Sequence, residues 1–218
     1  MTTVTDRESL PLVRAGAPIE NAAGALILLH GRGGEAEDML SLGSALMGNR
    51  LALLAPQAAG HTWYPFSFLA PREENEPYLS LALGQVEAAL TLATSKGLKS
   101  SQIAICGFSQ GACLATEFVA RHPQRYGGLL AFTGGLIGPL DRPISLTGDL
   151  AGTPVLLSSG DPDPHVPWQR VQQSGELLTG IGAKVILQRY PGRPHTILPE
   201  EVENGRKLLS GTFPSQRP

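Results

Sequence analysis

Residues 105–113 read ICGFSQGAC, and this stretch joins an apolar run to an alanine-rich helical pattern through a serine held between two glycines. Gly107 and Gly111 each lie two positions from Ser109. Glycine removes the Cβ atoms that would clash where a chain reverses tightly between a strand and a helix. The stretch therefore predicts either a tight turn that happens to contain Ser109 or a turn that exists to present its hydroxyl.

Short apolar runs recur along the chain, with helical patterns between them. The runs are nearly continuous rather than alternating, which is typical of strands buried on both faces of a parallel sheet. Strand alternating with helix favours right-handed crossovers, and hence an α/β fold with a mostly parallel central sheet and helices on both faces. The predicted strands cover 25–30, 51–56, 103–107, 128–132, 154–160 and 184–190, and the predicted helices cover 36–47, 78–96, 110–121, 168–179 and 199–210.

The chain is organised as one domain. We expect this domain to cover residues 24–210, after an N-terminal segment (1–23) that could add an edge strand and before a frayed tail (211–218). Residues 133–153 look too short to form a separate lid domain. Residues 56–77 combine prolines, aromatic residues and an acidic cluster, which predicts either a wall of a binding site or a surface loop packing its own aromatics.

Composition argues against several classes of partner. The net charge is −2 and the 17 Lys and Arg residues are scattered, so we expect no nucleic acid. No apolar run approaches the roughly 18 residues that cross a bilayer, and the N-terminus lacks the layout of a signal peptide, which predicts a cytoplasmic protein without stable membrane insertion. Cys106 and Cys113 flank the serine turn and are interpreted as small buried hydrophobes. A homodimer is left open.

If Ser109 is a nucleophile, it needs a neighbouring base, because a serine hydroxyl is weakly nucleophilic at neutral pH. In hydrolases with such a turn, the acid and then the histidine follow the serine along the chain. Of the five histidines, His195 lies just after the predicted strand 184–190, where its imidazole would reach the carboxyl edge of the sheet. The stretch SSGDPDPHVP offers two acids, Asp161 and Asp163, and the pattern alone does not choose between them. His165 is interpreted as a residue of the site's rim.

A serine nucleophile that performs acyl transfer also needs donors for a developing oxyanion. One is normally the backbone N–H that follows the nucleophile, here that of Gln110. The glycine-rich stretch LLHGRGG (28–34) offers the backbone N–H of Arg32 as the second donor. This stretch lacks the Lys-Ser/Thr of a phosphate-binding loop and the glycine spacing of a dinucleotide fingerprint, so a nucleotide site is disfavoured.

Four ordered motifs, LHGRGG, GFSQGAC, SGDPDPHVP and YPGRPHTI, resemble those of the phospholipase/carboxylesterase family of α/β-hydrolases, which includes acyl-protein thioesterases. The resemblance covers roughly residues 24–210 and implies an α/β-hydrolase fold without a lid domain, a cofactor or a metal. It implies Ser109 as nucleophile, His195 as base and Asp163 as the acid, with an oxyanion hole formed by the amides of Arg32 and Gln110.

The sequence therefore predicts a serine hydrolase that cleaves small-molecule carboxylic esters of small or medium acyl chain. Arg32, where the family usually has an apolar residue, and the segment AFTGGLIGP argue against a long acyl chain. The alternatives are an acyl-protein thioesterase or lysophospholipase acting on long chains, and a non-catalytic ligand-binding member of the fold. The candidate pocket residues, each of which could instead belong to the core or the rim, are Trp63, Tyr64, Phe66, Leu136 and His165.

Overall fold

The structure, a computed structural model, describes residues 11–214; the first ten residues and the last four, which belong to the expected frayed tail, lie outside the described residues. Seven strands form one sheet in the order β1-β3-β2-β4-β5-β6-β7. The strands are β1 (Leu12–Gly16), β2 (Ala25–Leu29), β3 (Ala52–Pro56), β4 (Ile103–Phe108), β5 (Gly128–Phe132), β6 (Pro154–Asp161) and β7 (Lys184–Pro191).

Six of these strands run parallel, and β1 pairs antiparallel with β3 at one edge. Within residues 11–214, five α-helices lie between or after the strands, namely α1 (Ala36–Met47), α2 (Tyr78–Ser95), α3 (Gln110–Arg121), α4 (Trp168–Gly180) and α5 (Pro199–Thr212). A mostly parallel sheet with helices on both faces is the α/β architecture that the sequence predicts, and this prediction is confirmed.

The core consists of two apolar layers, one on each face of the sheet. Along β2, Ala25, Ile27 and Leu29 face the layer shared with α2, α3 and α4, whereas Leu26 and Leu28 face the layer shared with α1 and α5. All five are fully buried. Because successive strand residues point to opposite faces, both faces of β2 must be apolar, which explains its unbroken hydrophobic run.

The last strand departs from the predicted pattern. Residues 184–190 were expected to be buried on both faces, but β7 is an edge strand on which Ile186 is 50% exposed and Leu187 is 37% exposed. A continuous apolar run does not distinguish a central strand from an edge strand, because the distinction depends on what covers the strand in three dimensions.

No helix within residues 11–214 is long and apolar enough to span a membrane. Cys106 and Cys113 are free and buried. Burial raises the pKa of both thiols, that of Cys113 to about 12, so both remain protonated at neutral pH. Each fills a small apolar position in the core.

Candidate active site

The turn between β4 and α3 presents Ser109 in a strained backbone conformation. Ser109 has φ 53° and ψ −117°, in the half of backbone space that residues other than glycine avoid. A Cβ on Gly107 would lie 2.2 Å from the Gly111 carbonyl oxygen, and one on Gly111 would lie 2.1 Å from the Leu29 oxygen. The flanking glycines are therefore required because α3 begins in contact with β4 and with the end of β2.

Two backbone hydrogen bonds hold this turn. The Ser109 N–H donates to the Phe132 carbonyl at 2.9 Å, and the Cys113 N–H donates to the Ser109 carbonyl at 3.0 Å. Strain of this kind costs about 1–3 kcal/mol and persists only where the surroundings enforce it. The turn thus fixes the serine hydroxyl at the carboxyl edge of the sheet.

Ser109, His195 and Asp163 meet at this edge although they lie far apart in sequence. His195 Nε2 is 2.8 Å from Ser109 Oγ, and His195 Nδ1 is 2.9 Å from Asp163 Oδ2 and 3.1 Å from Oδ1. Ser109 follows β4, Asp163 follows β6 and His195 follows β7, so three parallel strands deliver the three side chains to one end of the sheet.

The Asp163 side chain is fully buried and held in one orientation. Its Oδ1 accepts the N–H groups of His165 and Val166, both at 2.9 Å. Burial raises the pKa of Asp163, but the hydrogen bonds from His165, His195 and Val166 outweigh it, so the pKa lies below its ordinary value. The carboxylate is therefore ionised at neutral pH and can only accept hydrogen bonds. A neutral His195 must then carry its ring proton on Nδ1, which leaves Nε2 free to accept a hydrogen bond from the Ser109 hydroxyl.

Asp161, the other candidate acid, lies elsewhere. It ends β6 and forms an ion pair with Arg189 of the neighbouring strand β7. Asp163 lies two residues further on, past the end of β6, and its carboxylate faces the His195 imidazole. The choice between the two acids therefore depends on where β6 ends.

The two residues predicted to bind an oxyanion, Arg32 and Gln110, line the same cavity as Ser109. Neither the Arg32 N–H nor the Gln110 N–H has a hydrogen-bond acceptor among residues 11–214, and Gln110 is the first residue of α3. Unpaired N–H groups at a helix start attract negative charge. The loop that carries Arg32 is fixed by the Gly33 N–H, which donates to His61 at 2.7 Å, and by the Gly34 N–H, which donates to Gly31 at 3.0 Å.

His30 is a buried side chain that contacts the loop carrying Arg32. It is 1% exposed, its Nδ1 contacts the Gly31 carbonyl at 2.7 Å, and its Nε2 lies 3.1 Å from the Ala58 N–H. Because the Ala58 N–H can only donate, Nε2 accepts and the ring proton is on Nδ1. Burial lowers the pKa of His30, the Gly31 contact opposes this more weakly, and the ring is therefore neutral.

Residues 64–68 form one wall of the site, and two side chains clamp this segment and the Trp63 backbone before it. Gln110 Oε1 accepts the Trp63 N–H at 3.0 Å, and Gln110 Nε2 donates to the Tyr64 carbonyl at 2.7 Å. Arg32 Nη2 donates to the carbonyls of Tyr64 and Phe66, each at 2.9 Å. These clamps could not be predicted from the sequence, because each joins a side chain to a loop more than 30 residues away.

A cavity of about 450 Å³ opens beside Ser109 and His195. Of the predicted pocket residues, Tyr64, Phe66 and His165 line it, together with the predicted oxyanion residues Arg32 and Gln110. Five further residues line the cavity and were not predicted, because they lack a distinctive local signal: Pro65, Ser67, Phe68, Cys113 and Val166.

The interpretation of Trp63 and Leu136 as pocket residues is corrected by the structure. Both belong to the core, with 3% and 1% of their surface exposed, and neither is among the residues that line the cavity. The Trp63 indole packs on the His30 ring at 4.8 Å and donates to the His30 carbonyl at 2.8 Å, which turns it away from the cavity. Within the described part of the chain, no cluster of His, Cys, Asp or Glu is arranged to hold a metal ion.

Comparison with known proteins shows which family and which proteins this chain resembles in sequence. The model of the phospholipase/carboxylesterase family matches residues 13–212. Acyl-protein thioesterase 1 of Gibberella zeae is 31% identical over 54% of this chain and 51% of its own length. A probable carboxylesterase of Arabidopsis thaliana, SOBER1-like, is 30% identical over 64% of this chain and 52% of its own. The chain thus spans about half the length of these two relatives.

Solved structures extend the similarity over nearly the whole chain. A phospholipase/carboxylesterase from Dyadobacter fermentans superposes with a TM-score of 0.88 at 43% identity, over 92% of this chain and 96% of that one. The esterase PE8 superposes with a TM-score of 0.75 at 25% identity, over 94% and 98%. On the family match and the similarity to the Dyadobacter protein, the chain belongs to the phospholipase/carboxylesterase family of α/β-hydrolases.

Proposed function

We propose that the protein is a serine hydrolase that cleaves carboxylic esters of small or medium acyl chain through an acyl-enzyme on Ser109. The observation that carries the proposal is the continuous hydrogen-bond chain from Ser109 Oγ to His195 Nε2 at 2.8 Å and from His195 Nδ1 to Asp163. A nucleophile, a base and a group that orients the base, each within hydrogen-bond reach, are what acyl transfer requires.

In acylation, Ser109 Oγ attacks the acyl carbon of the ester while His195 Nε2 takes the hydroxyl proton. The imidazole becomes positively charged at this moment, and the buried carboxylate of Asp163 stabilises that charge through the Nδ1–H hydrogen bond. The tetrahedral oxyanion accepts from the N–H groups of Arg32 and Gln110, which have no other acceptor in residues 11–214. Each such donor contributes about 2.7–4 kcal/mol to transition-state stabilisation.

The reverse proton transfer completes acylation, and deacylation then repeats the sequence with water as the nucleophile. His195 gives its proton to the leaving alcohol, the C–O bond to that alcohol breaks, and the acyl group remains on Ser109 Oγ. The neutral imidazole then takes a proton from water, whose oxygen attacks the acyl carbon, and finally returns a proton to Ser109 Oγ as the acid leaves. No cofactor enters any of these steps.

The size of the cavity supports a small or medium acyl group. Ligand pockets of proteins span roughly 300–1,000 Å³, and the cavity here, about 450 Å³, must also hold the ester and part of its alcohol. Its wall at residues 64–68 is held by hydrogen bonds from Arg32 and Gln110, which oppose its opening for a longer chain.

The Ser109→Ala variant tests the reaction. The variant should lose hydrolysis of p-nitrophenyl butyrate and should no longer react with a fluorophosphonate probe, whereas Ser41→Ala on the exposed face of α1 should keep both activities. An active Ser109→Ala variant would refute the assignment. A wild-type protein that neither hydrolyses esters nor reacts with the probe would instead support a non-catalytic ligand-binding member of the fold.

An acyl-length series tests the substrate class. We expect kcat/KM to be higher for p-nitrophenyl acetate, butyrate and hexanoate than for the decanoate and palmitate esters. Relatives named acyl-protein thioesterase make the opposite order the second candidate. A preference for palmitate, matched by hydrolysis of a palmitoyl thioester, would establish that candidate and exclude the first.

A further inference from the structure

A buried arginine and a buried glutamate lie directly behind the loop that carries His195, and the reaction proposed above uses neither. The side chain of Arg193 is 2% exposed and that of Glu201 is fully buried, with Arg193 Nε 3.5 Å from Glu201 Oε2. Charged side chains are rarely buried this deeply without a specific role, because removing them from water is costly.

Arg193 holds the backbone on both sides of His195. Its Nη1 donates to the carbonyl of Pro194 at 3.2 Å and to the carbonyl of Thr196. Pro194 and Thr196 flank His195 in sequence, so one guanidinium group binds the chain both before and after the histidine. A planar guanidinium with five donors can make such contacts in several directions at once.

The same guanidinium is tied to β5 through Thr133. Arg193 Nη2 donates to Thr133 Oγ1 at 2.6 Å. Thr133 is fully buried and has φ 60°, a conformation that is a clear outlier for a β-branched residue. Its N–H donates to the Ser158 carbonyl on β6 at 2.6 Å. Strain retained at such a position indicates that the surrounding contacts enforce it.

Glu201 pairs with the arginine at 3.5 Å and is itself held by α5 and β6. Glu201 Oε1 accepts from Ser158 Oγ at 2.6 Å, and Oε2 accepts from the Leu198 N–H at 2.9 Å, where α5 begins. The loop also rests directly on β6, because a Cβ on Gly160 would lie 2.6 Å from the Arg193 carbonyl oxygen. The His195 loop is thus connected through Arg193 to β5, β6 and α5 together.

We propose that Arg193 is a positioning residue that holds the His195 imidazole at hydrogen-bond distance from Ser109, with Thr133 and Glu201 holding Arg193. The proposal rests on the proposed function in that it takes His195 as the base of the reaction. It goes beyond that function by assigning the geometry of the base to a buried polar network on the far side of its loop.

Arg193→Lys is the sharpest test. Lysine keeps the positive charge opposite Glu201 but is a single compact donor group, which cannot reach Thr133 and both carbonyls together. Since a misplacement of about 1 Å can cost roughly 100-fold in rate, we expect kcat to fall about 100-fold. KM for p-nitrophenyl butyrate should change less than threefold, because Arg193 does not line the cavity.

Two controls separate positioning from loss of stability. Arg206→Lys makes the same substitution on the exposed face of α5 and should leave kcat unchanged. Leu209→Ala removes a fully buried side chain of α5 from the core and should lower the melting temperature, with most of kcat retained by the folded protein. A loss of kcat in Leu209→Ala as large as in Arg193→Lys would refute the positioning role.

A second pair of variants tests the anchor at Thr133. Thr133→Ala removes the hydroxyl that accepts from Arg193 and should lower kcat several-fold, whereas Thr133→Ser keeps the hydroxyl and should restore it. Equal kcat values in the two variants would show that the Arg193–Thr133 contact does not position the base.

A crystal structure of Arg193→Lys gives a readout that does not depend on activity. We expect the loop to shift and the contact between His195 Nε2 and Ser109 Oγ to lengthen beyond hydrogen-bond distance. An unchanged contact near 2.8 Å would overturn the inference even if the wild-type protein is an active esterase. Loss of the contact in a protein whose wild type hydrolyses no ester would leave the positioning role standing and refute only the proposed function.

Discussion

We expect substitution by alanine to have opposite effects at two glycines, Gly111 in the turn that presents Ser109 and Gly84 in α2. Gly111→Ala places a methyl group 2.1 Å from the Leu29 carbonyl oxygen and 2.5 Å from that of His30. Both neighbours are backbone atoms of β2 and its extension, so neither can rotate aside. Non-bonded atoms need about 3.5 Å, and α3 must therefore retreat from β2 by more than about 1 Å.

That retreat should lower both stability and rate. Overpacking of this kind costs about 1–3 kcal/mol, and in a chain of this length each kcal/mol lowers the melting temperature by about 2–4 °C. We therefore expect a melting temperature about 2–12 °C below that of the wild type. Because α3 carries the Gln110 N–H and begins at Ser109, its displacement should also lower kcat by roughly 100-fold.

Gly84→Ala is the matched control. Gly84 lies in the exposed middle of α2, and a Cβ there would meet no atom within 4 Å. Alanine is favoured over glycine inside a helix by about 0.5–1 kcal/mol, so this variant should melt about 1–4 °C higher than the wild type with unchanged kcat. The assay is thermal unfolding combined with turnover of p-nitrophenyl butyrate. Wild-type values for Gly111→Ala, or shifts of the same sign in both variants, would refute the steric argument.

Three further predictions concern single side chains. Asp163→Asn should lower kcat about 10⁴-fold without altering the fold, because an amide cannot hold the imidazole in the required tautomer as a carboxylate does; a loss below tenfold would contradict this. Arg32→Leu keeps the backbone N–H but frees the wall at Tyr64, so KM for short esters should rise several-fold with a smaller change in kcat. Burial lowers the pKa of His30, so the stability contributed by its neutral ring should be complete above about pH 6.5 and be lost as the pH falls through the lowered pKa. The melting temperature of the wild type should therefore fall more on acidification than that of His30→Gln.

The helices and the central strands could be predicted from sequence because their signals are local. The predicted strand at 128–132 and the predicted helix at 110–121 match β5 and α3 to the residue. Each is an apolar run or a helical repeat bounded by turn residues, and periodicity suffices to find such elements. The exposure of β7 could not be predicted in this way, because an edge strand and a central strand can carry the same apolar residues.

The pocket wall was harder to predict than the residues beside Ser109. Residues 56–77 have no period, so nothing in the sequence tells which aromatic side chains point inward and which point to the cavity. Trp63 turns into the core to donate to a carbonyl of the β2 loop, whereas Phe68, unremarked in the sequence, lines the cavity. The orientation of each ring is set by contacts with distant loops, and a single sequence does not contain that information in local form.

The two residues proposed to bind the oxyanion also clamp the wall, and this couples substrate fit to rate. Arg32 and Gln110 offer backbone N–H groups beside Ser109, while their side chains hold the carbonyl of Tyr64 from two directions. A substrate that pushes the wall outward must therefore strain the residues that carry the oxyanion donors. Because donors contribute most when they are fixed before the reaction begins, such a substrate should lose transition-state stabilisation as well as binding. We therefore expect an oversized acyl group to lower kcat as well as to raise KM, so that the clamped wall would affect the rate of the proposed reaction as well as its specificity.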